Sequence, residues 1–334
     1  MRRFLPDLFT VLLVLTVALA SVLPAQGAFA ARFGVATNFA IALLFFLHGA
    51  RLPSAVVVAG LLHWRLHLLI LLTTFALFPL LGLALGFFSP SLLAPPLYHG
   101  ILFLCVLPST VQSSIAFTST AGGNVPAALC AASTSNIAGM FLTPLLAGLL
   151  LSAGGRDAFS WEVLRNILLQ LLAPFLLGQA LQPWIGGWVR AHRRLLAPVD
   201  RGSILMIVYL AFSKAVVEGL WHTFSAGDLM AVVIANGLIL ALVLCFTMFG
   251  SRRLGFDRPD EAAITFCGST KSLASGIPIA NVLFAGQATG ALLLPVMLFH
   301  QMQLMASAVI AQHYRHRAGA ASPHPRTEAA PSQR

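Results

Sequence analysis

Ten apolar stretches, each near the length of a bilayer crossing, divide this 334-residue chain, and they restrict its fold more than any other feature. They fall at about residues 8–24, 35–50, 67–88, 98–118, 126–152, 163–184, 203–221, 228–250, 262–284 and 288–312, each close to the roughly 20 residues that a transmembrane helix needs. Hydrophobic residues make up 58% of the chain and charged residues 9%, against about 25% charged in a soluble domain. Lipid has no water to satisfy main-chain polar groups, so each span is expected to be helical. The fold class that follows is an all-α polytopic membrane protein with ten transmembrane helices.

The net charge of +10 is distributed as topology rather than as a nucleic-acid surface. With the N-terminus inside, fifteen of eighteen arginines fall on cytoplasmic segments, while Arg32, Arg156 and Arg165 fall outside. Both termini are thereby placed in the cytoplasm, and the chain in the inner membrane. The opening MRRFLPDLFTVLLVLTVALASVLPAQGAFAA also has the features of a signal peptide. It is read as a retained span because ten spans divide into two halves of five. Residues 1–153 would form the first half and 154–317 the second. A polar, Pro-rich cytoplasmic tail over 318–334 is expected to be disordered.

The halves share one local pattern. Span four contains LPSTVQSSIAFTST and span nine CGSTKSLASGIPIA, and each precedes a short Gly-containing link. Five spans per half force the two repeats to run in opposite directions. Matched, interrupted polar spans in inverted repeats point to a transport site. Small residues that only let helices approach closely would leave a similar pattern.

Ionisable groups inside spans are few. Lys214 has Glu218 one helical turn along and reads as a structural ion pair. Lys271 has no carboxylate in its own span, and a lysine at mid-bilayer costs about 2.5–3.5 kcal/mol on insertion scales. Three roles are open to it: holding an anionic substrate, taking the place of an inorganic cation, or bonding the carbonyls of a broken helix. His63 and His67 stand four apart and could hold a metal, but with Arg65 and Trp64 they fit an interfacial belt better. His300, Gln301 and Gln303 in span ten and Ser133–Asn136 in span five could line a common cavity. The four cysteines lack metal spacing and read as buried thiols. GxSxG, HExxH and Walker motifs are missing, which disfavours an enzyme.

The chain resembles the bile acid:sodium symporter family along nearly all ten spans. The resemblance is carried by FALFPLLG (75–82), GGNVPAAL (122–129), FLTPLL (141–146) and, most specifically, FCGSTKSLASGIPIANVLF (266–284). The last of these is similar to one subgroup, uncharacterised bacterial proteins together with the orphan seventh vertebrate member. The resemblance implies a panel domain of spans one, two, six and seven, and a core domain of spans three to five and eight to ten. Spans four and nine would be discontinuous and cross, and alternating access would move one domain against the other.

It also implies sodium ligands near Ser113, Ser114, Ser133 and Thr74. The span-nine pattern Glu-x-Gly-x-Gln-Asn becomes Phe266 to Lys271, losing the carboxylate and gaining a cation. At least one sodium site is therefore expected to be missing, with Lys271 substituting for the ion or its proton serving as the coupling charge. No cofactor is expected, and the coupling ion is left between sodium and a proton. The function expected is secondary active transport of an organic anion, with Ser109, Thr110, Gln112, Ser269, Thr270, Lys271 and Ser272 binding substrate. The alternative is a non-transporting or channel-like regulatory membrane protein.

Overall fold

The structure, a computed structural model, describes residues 8–51, 63–89, 91–151, 169, 172–217, 219, 224–284 and 289–320. Its described elements are helical: α1 (Leu8–Val22), α2 (Gly27–Arg51), α3 (Trp64–Phe88), α4 (Pro95–Val106), α5 (Gln112–Thr120), α6 (Val125–Leu151), α7 (Ala173–Ala191), α8 (Arg193–Val217), α9 (Ala226–Arg253), α10 (Arg258–Ser269), α11 (Leu273–Leu283) and α12 (Gly290–Ala320). Six of these, α2, α3, α6, α8, α9 and α12, are long and apolar enough to cross a membrane. The protein is an all-helical polytopic membrane protein.

Expected spans four and nine each emerge as two helices, α4 with α5 and α10 with α11. Elsewhere helices outrun the apolar stretches where polar side chains find partners. At the far end of α12, the Tyr314 hydroxyl bonds Glu261 Oε1, which also accepts from Arg252 at 2.9 and 2.7 Å. That network joins α9, α10 and α12. The expected tail begins within α12, since the helix continues to Ala320. The remainder of that tail, the first half of expected span six and Glu218, the expected partner of Lys214, lie outside the described residues.

Two groups of helices pack internally. In one, α2 lies along α7, and α8 packs on both α1 and α2. A Cβ on Gly49 would lie 2.1 Å from Phe175 O, and one on Gly178 2.0 Å from Phe46 O. The two backbones are in direct contact through paired glycines, the way membrane helices gain dispersion energy where lipid supplies no hydrophobic drive. In the other group α4 packs between α3, α6 and α12, while α10 packs on α5, α6 and α9. Leu107, Phe103 and Phe299 are fully buried in the largest apolar cluster. α8 touches both α11 and α12, linking the groups.

Within α3 the helix widens into a π turn over Thr73–Leu77, just ahead of Pro79. Proline removes an N–H from the ladder and clashes with the preceding turn, so a carbonyl there is released. Thr74 O is one such released group, and its partner comes from another helix.

Candidate functional site

Each interrupted span breaks for a local reason. α4 stops because Pro108 drives Leu107 to an extended conformation (φ −71°, ψ 152°). α10 ends at Thr270, also extended (φ −103°, ψ 148°), and α11 restarts with Ser272 as N-cap, its Oγ accepting from Ser275 N at 3.1 Å.

Breaking a helix in a membrane interior orphans carbonyls at one end and N–H groups at the other. Here the two breaks satisfy each other. Along the first, Cys105 O and Leu107 O accept from Lys271 Nζ at 2.8 and 2.7 Å. Val106 O accepts from Thr143 Oγ1 at 2.7 Å, and Pro108 O from Ser272 N at 2.8 Å. Ser109 O accepts from Asn136 Nδ2 at 2.8 Å. Along the second, Phe266 O accepts from the Thr270 and Ser114 hydroxyls, and Cys267 O from Ser109 Oγ at 2.6 Å. Gln303 closes the gap at Lys271, its Oε1 accepting from the main-chain N–H at 2.7 Å and its Nε2 donating to the carbonyl at 2.9 Å. Five consecutive carbonyls, from 105 to 109, thus find partners on the other break or on α6.

The hydroxyls of Ser109, Thr110, Ser114 and Thr270 form a closed cluster, with Thr110 Oγ1 donating to Thr270 Oγ1 at 2.9 Å and Ser113 Oγ to Thr110 Oγ1 at 2.6 Å. Glycine lets the breaks approach. A Cβ on Gly276 would fall 2.4 Å from the Leu107 side chain, and one on Gly139 2.7 Å from Pro108 Cβ.

Beside this junction lies a cavity of about 1990 Å³. Its wall is drawn from α2, α7 and α8 on one side and from α5, α6, α11 and α12 on the other. Arg51, Arg190, Arg194 and Arg201 line it, with His48, His192 and His300, and among the described residues no Asp or Glu does. Apolar wall comes from Phe45, Phe117, Met140, Phe175 and Leu273 among others.

The expected site residues separate into two sets. Thr110, Gln112, Ser113, Ser133 and Ser272 reach the cavity wall. Ser109, Ser114, Ser269, Thr270 and Lys271 are buried inside the junction, with Ser269 Oγ bonded back to Thr265 O at 2.6 Å. Lys271 is 1% exposed, and its ammonium sits 4.0 Å from the centre of the Phe78 ring. Thr74 lies on α3 behind it and contributes a carbonyl, at 2.8 Å, rather than its hydroxyl.

Of the residues expected to bind an ion, Ser113 and Ser114 share the hydroxyl cluster, while Ser133 and Thr74 lie apart from those hydrogen bonds. Phe266, standing where the resemblance placed a carboxylate, is fully buried against Phe117 and Tyr314. His67 is buried and Arg65 donates to Leu254 O at 3.0 Å while lying over Phe256.

Several residues carry a weight in the structure that their place in the sequence does not give them. Asn136 bridges both halves, donating to Ser109 O and accepting from Ser275 Oγ at 2.7 Å. Its place in the Ser-Thr-Ser-Asn run points to the cavity, which it lines with Ser133, His300 and Gln301, but not to this bridging role. Ser275 and the four arginines carried none toward a site, because in sequence the arginines mark only which side of the membrane a segment faces.

Two packed helix groups joined where α8 meets α11 and α12, with an arginine-lined cavity between them and two mutually bonded helix breaks inside one of them, suit a polytopic membrane transport protein. The comparisons agree. The SBF-like CPA transporter family model matches residues 7–316. Uncharacterized protein PA2026 of Pseudomonas aeruginosa is 55% identical over 315 residues, covering 94% of this chain and 95% of that one. YfeH of Escherichia coli (strain K12) is 50% identical over 309 residues, or 92% and 93% of the two chains. Sodium/bile acid cotransporter 7 of Rattus norvegicus is 27% identical over 274 residues, or 81% and 80%. The chain belongs to the SBF-like CPA transporter family, in keeping with its resemblance to bile acid:sodium symporters and to the subgroup of bacterial proteins and the seventh vertebrate member.

Proposed function

We propose that this protein carries an organic anion across the cytoplasmic membrane by alternating access. The carrying observation is the cavity, whose wall holds four arginines and three histidines and, among the described residues, no carboxylate. Fixed cations in a low-dielectric cleft raise the local concentration of anions and exclude cations. The apolar wall would take the hydrocarbon part of such a ligand, and the polar groups at the junction end, Gln112, Ser113, Ser133 and Ser272, would orient it.

Ten spans in two inverted halves account for the paired breaks. In that reading α1, α2, α7 and α8 are the panel and the remaining helices the core. All four wall arginines belong to segments that charge bias puts inside, so this conformation opens to the cytoplasm, where both termini also lie. Movement of the panel over the core would close the cavity there and open it opposite.

The test is a screen of the purified full-length protein against organic acids, amines and neutral solutes. Stabilisation by acids alone, followed by counterflow of a labelled hit in liposomes and its loss in Arg201→Gln or Arg190→Gln, is the expected result. Stabilisation by organic amines, or binding with no counterflow, would overturn the assignment.

A further inference from the structure

The Lys271 ammonium makes contacts that an ion-coordination shell would make. Its three N–H bonds go to three main-chain carbonyls, Thr74 O, Cys105 O and Leu107 O, at 2.7–2.8 Å. A neutral amine has only two N–H groups, so three such bonds require the charged form. Phe78 supplies a ring face at 4.0 Å. Among the described residues no carboxylate takes part.

Each ligand is freed by a feature that does not depend on the lysine. Thr74 O sits in the π turn of α3, and Cys105 O and Leu107 O sit at the C-terminus of α4, where the helix dipole is negative. Converging carbonyl oxygens of this kind, buried away from water, suit a small cation. The lysine reaches them from a different element, the break between α10 and α11.

We infer that these carbonyls form a cation site permanently occupied by the protein's own ammonium. The wild type therefore needs no free sodium there, and shortening residue 271 opens the site to a free monovalent cation. The inference bears on what drives the transport proposed above. It concerns stability rather than flux, so it stands or fails independently of the substrate.

The experiment measures thermal unfolding of the purified full-length protein in chloride salts of sodium, potassium, ammonium, methylammonium and choline at one ionic strength. The wild type should unfold at the same temperature in all five. Lys271→Ala should unfold several degrees lower in choline and recover saturably in at least one small cation. Recovery in sodium would mark an inorganic-ion geometry, and recovery only in ammonium or methylammonium a site shaped for N–H donors. Lys271→Met, which fills the space of the lysine stem without charge, should be destabilised equally in every salt.

Saturable stabilisation of the wild type by sodium over choline would overturn the inference. So would a Lys271→Ala protein indifferent to all the cations, or a Lys271→Met protein as stable as wild type. If Lys271→Ala folds only when purified in a small cation, that salt dependence is itself the expected response. If it folds in no salt, the wild-type and Lys271→Met measurements decide.

Discussion

Thr270 and Ser269 are neighbours with the same chemistry and very different responsibilities. The Thr270 hydroxyl meets Ser109, Thr110 and Ser114 from the opposite break, whereas Ser269 bonds only within its own helix. Thr270→Val keeps the shape but removes the centre of the hydroxyl cluster, leaving Ser109, Thr110 and Ser114 with their remaining partners, and should cost about 1–2 kcal/mol, the upper part of the range for hydrogen bonds between membrane helices. Ser269→Ala should cost well under about 1 kcal/mol, since its helix retains the main-chain ladder. Denaturant unfolding in detergent of the two variants side by side checks the ratio. Lys271 shows how much a single residue can disclose in sequence. Its type and depth announced that something unusual was needed, but not whether it faced a ligand or a shell of carbonyls, since Thr74 and Cys105 are 197 and 166 residues away from it.

At the level of elements, α2 and α7 depend on a pair of glycines that sequence patterns do not distinguish from the chain's other glycines. Gly49→Leu or Gly178→Leu would drive a side chain into a facing backbone and should lower folded yield severely, with losses beyond about 3 kcal/mol for an overpacked contact that cannot yield. Gly187→Ala on the same helix as Gly178 meets nothing within 4 Å and should stay within about 0.5 kcal/mol of wild type. Size-exclusion profiles and thermal midpoints of the purified variants separate the two cases. The long helices were legible because hydropathy reports them directly. The breaks were legible as clusters of Pro, Gly, Ser and Thr. That the breaks pair with each other was suggested by the matched patterns, but the mutual bonding of residues 105–109 and 266–272 became visible only once the helices were packed.

For the whole molecule, the proposed alternating access predicts a sidedness that chemistry can read. Cys105 and Cys267 are buried and should resist a membrane-impermeant maleimide in the wild type. With the native cysteines replaced, Ser133→Cys, on the cavity wall, should label from the arginine-bearing side of the membrane. A bound organic acid should protect it. Labelling from the opposite side alone, or unaltered by any ligand that stabilises the protein, would contradict the proposed motion.

Hydropathy, charge bias and the two polar interruptions were properties of the sequence alone, because a bilayer demands apolar helices of fixed length and excludes unpaired charge. Membership of a transporter family followed from the same residues. Only tertiary packing could decide which polar groups face the cavity and which face each other. That division is set by contacts across more than 150 residues, where a hydroxyl or an ammonium has the same appearance in sequence whether it binds a solute or replaces a lost backbone partner.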